Sequence, residues 1–334
     1  MIIRPSLSGS LGKNVIPPLD IEGMPTARLA YGLRKLRSAY TGPALRVRNG
    51  TTNVEADVYF YNNKEVTNNS MTSAGVTLQH FLGDGVAGYV PKWYNQSGNT
   101  STQAGGGSWT GYDTDPDAVM TTGSRQPVLV VDGVNIRARK QAPGLKFETS
   151  GGWSAAGDYM QVNQYRLPNG NNDAHTLIWV GQLMSLANHC GIIGNLDNFN
   201  DGVELIFLSP SGFRYSVDAH DEDTGNGFVR DDRNTIVIGS YDYSRATGAG
   251  GDGTSHVVRV NGNQTTRDTY EDKHIGRSDR FRLGARRISN SPLDGTMAEI
   301  FVFESFVSLE LQALLETNIA IYNNIDLTNF LPAY

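Results

Sequence analysis

From Thr176 onward the chain is a succession of short apolar runs broken by turn residues, and this limits its fold more than any other feature. Thr176-Leu-Ile-Trp-Val-Gly, Gly191-Ile-Ile-Gly, Val203-Glu-Leu-Ile-Phe-Leu and Phe213-Arg-Tyr-Ser-Val are strand-length segments. Thr235-Ile-Val-Ile-Gly-Ser-Tyr, His256-Val-Val-Arg-Val, Phe281-Arg-Leu-Gly and Met297-Ala-Glu-Ile-Phe-Val-Phe continue the series. No helical pattern lies between them, so a parallel α/β sheet is excluded in favour of a β-sandwich or jelly roll. Asn261-Gly262 directly after one run predicts a type I′ hairpin, because both residues tolerate positive φ. Glycine fills 38 of 334 positions, above the usual ~7%, as a chain of many tight turns requires.

The first half alternates more loosely. Leu45-Arg-Val-Arg, Ala56-Asp-Val-Tyr-Phe-Tyr, Val86 to Tyr94, Val128-Leu-Val-Val, Leu145-Lys-Phe and Tyr159-Met-Gln-Val read as strands, with a short helix over Val76–Leu82. Two longer helices are predicted. Leu29, Leu33, Leu36 and Tyr40 recur at helical spacing from Thr26 until Gly42-Pro43 stops them. Arg28, Arg34, Lys35 and Arg37 would then form a basic side, continued by Arg46 and Arg48 on the next strand, either an anion- or partner-binding face or a solvated one. Near the C-terminus, Ser308 is an N-cap, Glu310 lies in the first turn, and Leu311, Leu314, Leu315, Ile319 and Tyr322 form a stripe. The organisation is an extended arm over 1–25, a body over 26–324 and a tail over 325–334. Ile2, Ile3, Val15 and Ile16 in the arm, and Phe330, Leu331 and Tyr334 in the tail, need the body or a neighbouring subunit to cover them, so they are assembly candidates.

Charge and motifs narrow the function. A net charge of −6 disfavours nucleic acid as a partner, and no apolar run approaches the ~18 residues of a membrane span. Met1–Gly12 lacks the apolar stretch of about 7–15 residues that a secretory signal needs, which predicts cytoplasmic synthesis. One cysteine, Cys190, excludes an intrachain disulfide and a cysteine zinc site. Gly248-Ala-Gly-Gly-Asp-Gly253 matches a dinucleotide-binding pattern by letter, but it precedes a strand and reads as a loop. Asp113, Asp115 and Asp117 begin like an EF-hand, yet Ala118 stands where glycine is required. Asp218, Asp221 and Asp223 (with Glu222) are a second acidic cluster whose hard oxygens suit calcium; read otherwise they are an exposed loop, and no other cofactor is expected. Trp93, Tyr94, Trp109 and Tyr112 gather around a long polar insertion, as a sugar platform would, although core packing explains tryptophans equally. Glu204 and Glu299 lie within predicted strands, as outward residues or as one of the paired carboxyls of a glycosidase.

Two segments carry a resemblance. Ala30-Tyr-Gly-Leu-Arg-Lys-Leu-Arg-Ser-Ala-Tyr-Thr-Gly-Pro-Ala-Leu-Arg-Val-Arg48 and Lys92-Trp-Tyr-Asn-Gln-Ser-Gly-Asn99 resemble proteins of phage and prophage gene sets, whose second motif is usually W-Y-D-Q-S-G-N. The same motifs are similar to the catalytic-domain family of fungal α-L-arabinofuranosidase B. The ending, Gly295-Thr-Met-Ala-Glu-Ile-Phe-Val-Phe-Glu with its following helix, resembles laminin-G-like domains. The resemblance spans about residues 28–323. It implies an all-β fold, a concanavalin A-like jelly-roll β-sandwich with an N-terminal helix, a C-terminal helix and extended terminal arms. It carries over no catalytic residue, since the paired cysteines of the hydrolases are missing and Asn95 replaces the usual Asp. The expectation is a non-enzymatic bacteriophage virion structural protein (capsid decoration, tail-associated or fibre component). Its partners would be other virion proteins, further copies of itself (a trimer, for instance) and a host surface glycan, without nucleic acid or membrane insertion. A carbohydrate-binding adhesin and an arabinofuranosidase-like hydrolase are the alternatives.

Overall fold

Strands buried on both faces need apolar residues at every position, and that is how the long runs of the second half fold. The computed structural model describes residues 15–99, 116–131, 143–149, 157–163, 165, 174–185, 189–194, 203–208, 212–217, 220–223, 234–267, 280–285 and 292–327. In chain order the first strands are β1 Leu29–Gly32, β2 Leu45–Asn49, β3 Glu55–Val58, β4 Gly88–Trp93, β5 Ala118–Val119, β6 Val128–Val130, β7 Gly144–Phe147, β8 Met160–Asn163 and β9 Ala174–Leu183. They are followed by β10 Cys190–Gly194, β11 Val203–Leu208, β12 Gly212–Val217, β13 His220–Asp223, β14 Thr235–Asp242, β15 His256–Val260, β16 Asn263–Arg267, β17 Arg280–Leu283 and β18 Gly295–Phe303. Two α-helices, α1 Leu78–Leu82 and α2 Leu309–Asn323, and four single-turn 3-10 helices complete the described elements.

The pairings give a small sheet, β16-β15-β14-β9-β18-β1, and a large one, β13-β12-β11-β10-β17-β8-β5-β4-β2-β3. Strands β6 and β7 link them, β6 pairing with β4 and β7 with β18. Every one of these pairs is antiparallel. The main core fills the space between the sheets, where Trp179, Val237 and Ile300 meet Phe207, Phe213 and Phe281. A second core lies on the outer face of the small sheet, where Ile178, Ile236, Phe301 and Phe303 meet Leu315, Ile319 and Ala320 of α2. The protein is therefore an all-β sandwich with a third layer formed by the C-terminal helix. That helix starts as its sequence predicts, with Ser308 Oγ accepting the Leu311 amide at 3.3 Å. Its stripe differs from the expectation: Leu314 is 56% exposed, while Gln312, Glu316 and Asn323 are buried. The Asn261-Gly262 hairpin forms between β15 and β16, with φ of 48° and 88°.

The expected N-terminal helix does not exist. Its residues form β1 and an irregular segment, and Leu29, Ala30, Tyr31 and Gly32 are all buried. A strand buried on both faces shows apolar residues without a period of two; Leu29 lies in it and Leu33, Leu36 and Tyr40 in the irregular segment after it, and their joint spacing imitated a helix. What decides the matter is who satisfies the backbone. One edge of β1 pairs with β18; the other meets side chains of the Asn95–Asn99 segment. Asn95 Oδ1 accepts the Ala30 amide (2.8 Å), the Gln96 amide donates to the Ala30 carbonyl (2.8 Å), and Gln96 Nε2 donates to the Gly32 carbonyl (2.8 Å). Gln96 Oε1 accepts the Leu36 amide, Ser97 Oγ donates to the Arg28 carbonyl, and Asn99 Nδ2 donates to the Ala27 carbonyl. The two recognisable motifs are thus each other's partners, and the second protects an edge strand that would otherwise invite further pairing. Gly98 belongs to this device: its φ is +87°, and a Cβ there would sit 2.3 Å from Arg37 Nη1, which donates to the Ser97 carbonyl.

The arm and tail, as far as described, lie on their own chain. Leu19, Ile21, Met24, Ile325 and Leu327 pack against the second core, and Asn318 Nδ2 donates to the Ile16 carbonyl at 3.0 Å. Val15 is half-buried and Ile16 exposed; Ile2, Ile3, Phe330, Leu331 and Tyr334 lie outside the described residues.

The main core also encloses titratable rings. His175 on β9 is fully buried beside Tyr215 and Tyr241, with neither ring nitrogen hydrogen-bonded. Burial pushes its pKa from 6.5 down to about 3. The folded state keeps this imidazole neutral while the unfolded chain protonates it, so stability is lost as pH falls below about 6.5, continuing until about pH 3. At pH 5 the loss from this group is about 2 kcal/mol relative to pH 7.5. Urea titrations of the protein and of His175→Phe at both pH values should show the variant's stability falling by that much less. Equal pH slopes would reject the assignment.

Candidate functional site

Antiparallel register places directly opposed residues on one face of a sheet. On the outer face of the large sheet this builds a polar row. Ser216 opposes Glu204, Glu204 opposes Gly194, Gly194 opposes Arg282 and Arg282 opposes Gln161. The row continues through Val119, Lys92, Arg46 and Asp57. Its middle is closed, with Glu204 2% and Arg282 1% exposed, whereas its β4-β2-β3 end is open.

That open end is the candidate site. Arg46 holds Asp57 through two bonds, Nε to Oδ1 at 2.7 Å and Nη2 to Oδ2 at 3.2 Å. The Tyr94 hydroxyl donates to Asp57 Oδ1 at 2.7 Å, and the Lys92 ammonium sits 5.2 Å from the Tyr94 ring centroid. Lys92 Nζ also reaches Asp117 Oδ2 at 3.1 Å, and Asp117 Oδ1 accepts the Asn95 amide. Tyr40, edge-on to Phe60, feels the charges of Asp117 and Asp57, and Tyr59 beside it is 39% exposed. Burial raises the Tyr40 and Tyr94 hydroxyl pKa values, and Asp57 adds to the effect at Tyr94. Burial also opposes ionisation of Asp57, but the hydrogen bonds from Arg46 and Tyr94 outweigh it and hold the carboxyl below 3.8. The result is three phenol rings around fixed hydrogen-bonding groups, half open to solvent.

Of the sequence candidates, Tyr94 falls in this cluster. Trp93, the next residue, points the other way: it is fully buried, 5.6 Å from Tyr31, and is a core residue. Trp109 and Tyr112 lie outside the described residues, as do Asp113 and Asp115. Asp218 does too, together with the side chains of Asp221 and Asp223; the backbone of those two runs in β13, opposite Ser216 and Arg214, and not in a loop. Among the described residues no three metal-ligating side chains come together. Glu204 and Glu299 are both buried, so neither is a solvent-exposed strand residue. The sequence reading took Arg46 only as part of the basic run and missed Asp57, Lys92 and Tyr59. Alternation in β2 gave Arg46 an outward side, but its partners depend on strand pairing that a single sequence does not display.

Three of the basic residues, Arg28, Arg34 and Arg46, find an anion within the chain itself. Arg34 pairs with Glu299 (2.9 Å, side chains 4% and 2% exposed), Arg28 with Glu304 and Arg46 with Asp57. Arg48 donates to Gln126 Oε1 and Asn53 Oδ1. Neither a solvated helix side nor an open anion face describes these four arginines.

No family model matches the chain, and no curated protein matches it. Solved structures do. A GH54 α-L-arabinofuranosidase variant soaked with 4-nitrophenyl α-L-arabinofuranoside is similar at TM-score 0.57 and 12% identity, covering 89% of this chain. An arabinofuranosidase complexed with arabinofuranosyl-α-1,2-xylobiose gives 0.54 and 14% over the same share. The chain has an arabinofuranosidase-like sandwich fold. It spans 63% of the length of those two proteins. The carbohydrate-binding module of a Ruminococcus gnavus sialidase is similar over 46% of this chain at a TM-score of 0.36.

Proposed function

We propose that this chain is a non-enzymatic, glycan-contacting β-sandwich and a structural component of a phage particle, binding sugar at the open end of the large sheet. The cluster of Tyr94, Tyr40 and Tyr59 around the Arg46–Asp57 pair carries the reading. Phenol faces cover the C–H faces of a sugar ring, and the fixed carboxylate, guanidinium and ammonium match its hydroxyls. The two arabinofuranosidase structures support a carbohydrate ligand through the shared architecture. Asp57 and Asp117 are both tied to cations, and Asp57 titrates low. A general acid needs a raised pKa, so these carboxylates suit acceptor roles better than proton transfer. The particle setting is supported by the Ala30–Arg48 and Lys92–Asn99 resemblance, and is checked by mass spectrometry of purified virions.

Glycan-array binding by the full chain tests the site. Tyr59→Ala, an exposed position, should weaken binding roughly three- to tenfold. Tyr94→Phe, which removes the Asp57 bond, should weaken it comparably. Unchanged binding in both variants rejects the cluster. A second reading, hydrolysis, is supported by the architecture shared with the two arabinofuranosidase structures. Turnover of an aryl arabinofuranoside by the full chain would establish this second reading and overturn the first.

A further inference from the structure

A pocket of about 500 Å³ opens beside helix α2, away from the aromatic cluster. Its walls are Val15–Pro17 of the arm, Arg34, Lys35 and Ser38 after β1, the Asn63–Glu65 turn, and Tyr322. The turn is fixed by two asparagines in the left-handed region, Asn62 and Asn63 (φ 48° and 58°). It is tied to the segment after β1 through the Lys35 amide, which donates to the Lys64 carbonyl at 2.7 Å.

Charge in this pocket is unbalanced. Glu65 accepts the Tyr322 hydroxyl, and Arg34 is engaged twice by buried Glu299 while stacking 4.2 Å over the Tyr322 ring. Lys35 is 7% exposed, and its ammonium meets only a neutral partner at this wall, Asn63 Oδ1 at 2.7 Å. Lys64 is exposed on the rim. Among the described residues neither lysine is paired with a carboxylate, in a protein whose net charge is −6.

We propose that this pocket binds a small molecule bearing a phosphate group. A phosphate monoester carries about −1.5 to −2 charge, which the two ammonium groups attract against the single carboxylate of this wall, Glu65. Lysines bind phosphate as point charges, whereas a planar carboxylate is best matched by an arginine fork, and the fork of Arg34 is already filled by Glu299. The pocket has the size of small-molecule sites, about 300–1,000 Å³, larger than the phosphate alone. Val15, Ile16 and Pro17 supply an apolar wall for the rest of the ligand.

The test uses the full chain at constant ionic strength. Inorganic phosphate and glycerol 3-phosphate should raise Tm saturably, and glycerol 3-phosphate should bind the tighter. The Lys35→Gln/Lys64→Gln double variant should bind about tenfold more weakly or worse. Lys64→Gln alone, at an exposed position, should weaken binding measurably and serves if the double variant does not fold. An equal shift with chloride, equal binding of acetate, or unchanged binding in Lys64→Gln would each overturn the proposal. Glycan-array binding should be the same with and without phosphate, which separates this site from the aromatic cluster.

Discussion

Trp93→Ala is expected to cost about 3–5 kcal/mol of stability, and the fraction that still folds should keep its glycan contacts. The indole is fully buried in the main core, at a tilt of 39° to Tyr31, whose hydroxyl in turn donates to the Pro116 carbonyl at 2.6 Å. Removing it opens a cavity between the sheets where β1 and β4 meet, and neighbours anchored by hydrogen bonds cannot collapse into it. A loss of this size is a large part of the 5–15 kcal/mol that typically holds a domain together. Trp93→Phe should cost much less, because the indole N–H has no hydrogen-bond partner to lose. Urea denaturation of both variants measures the effect. A Trp93→Ala loss below about 1 kcal/mol, accompanied by lost glycan binding, would put the ring on the sugar instead of in the core.

Arg34→Met should be as damaging, by a different route. Arg34 and Glu299 come from β18 and the segment after β1, 265 positions apart in sequence, and meet between the small sheet and α2. Asn323 Nδ2 donates to Glu299 Oε1 at 2.8 Å. Without Arg34 the carboxylate would stay buried with this one amide. Breaking one partner of a buried pair costs about 3–5 kcal/mol, most of it from the charge left behind. Removing both charges should restore most of that loss, so Arg34→Met/Glu299→Leu is expected to be far more stable than Arg34→Met. If the double variant were as unstable as the single one, stacking of the guanidinium over Tyr322, and not its pairing with Glu299, would be the cause.

These two residues show where single-sequence reading stopped. Trp93 and Tyr94 are adjacent, and alternation places them on opposite faces; which face is the core depends on strands distant in sequence. Arg34 looked like one of several surface cations because its partner lies near the other end of the chain. The Asn95–Asn99 motif stood out by its letters, yet its role as a side-chain edge for β1 could be recognised only after β1 was seen to be a strand.

The amino-acid order alone dictated the local elements: the short strands, the Asn261-Gly262 turn, the Ser308-capped helix and the sandwich class. Each depends on interactions within a few residues, through φ preference, capping or side-chain period. Tertiary structure alone decided that Leu29–Gly32 extends, that α2 buries polar side chains, and that Tyr94, Asp57, Arg46 and Lys92 converge. Those outcomes arise from hydrogen bonds and charge pairs between distant segments, whose energies are comparable to local propensity and override it wherever burial removes water as the competing partner.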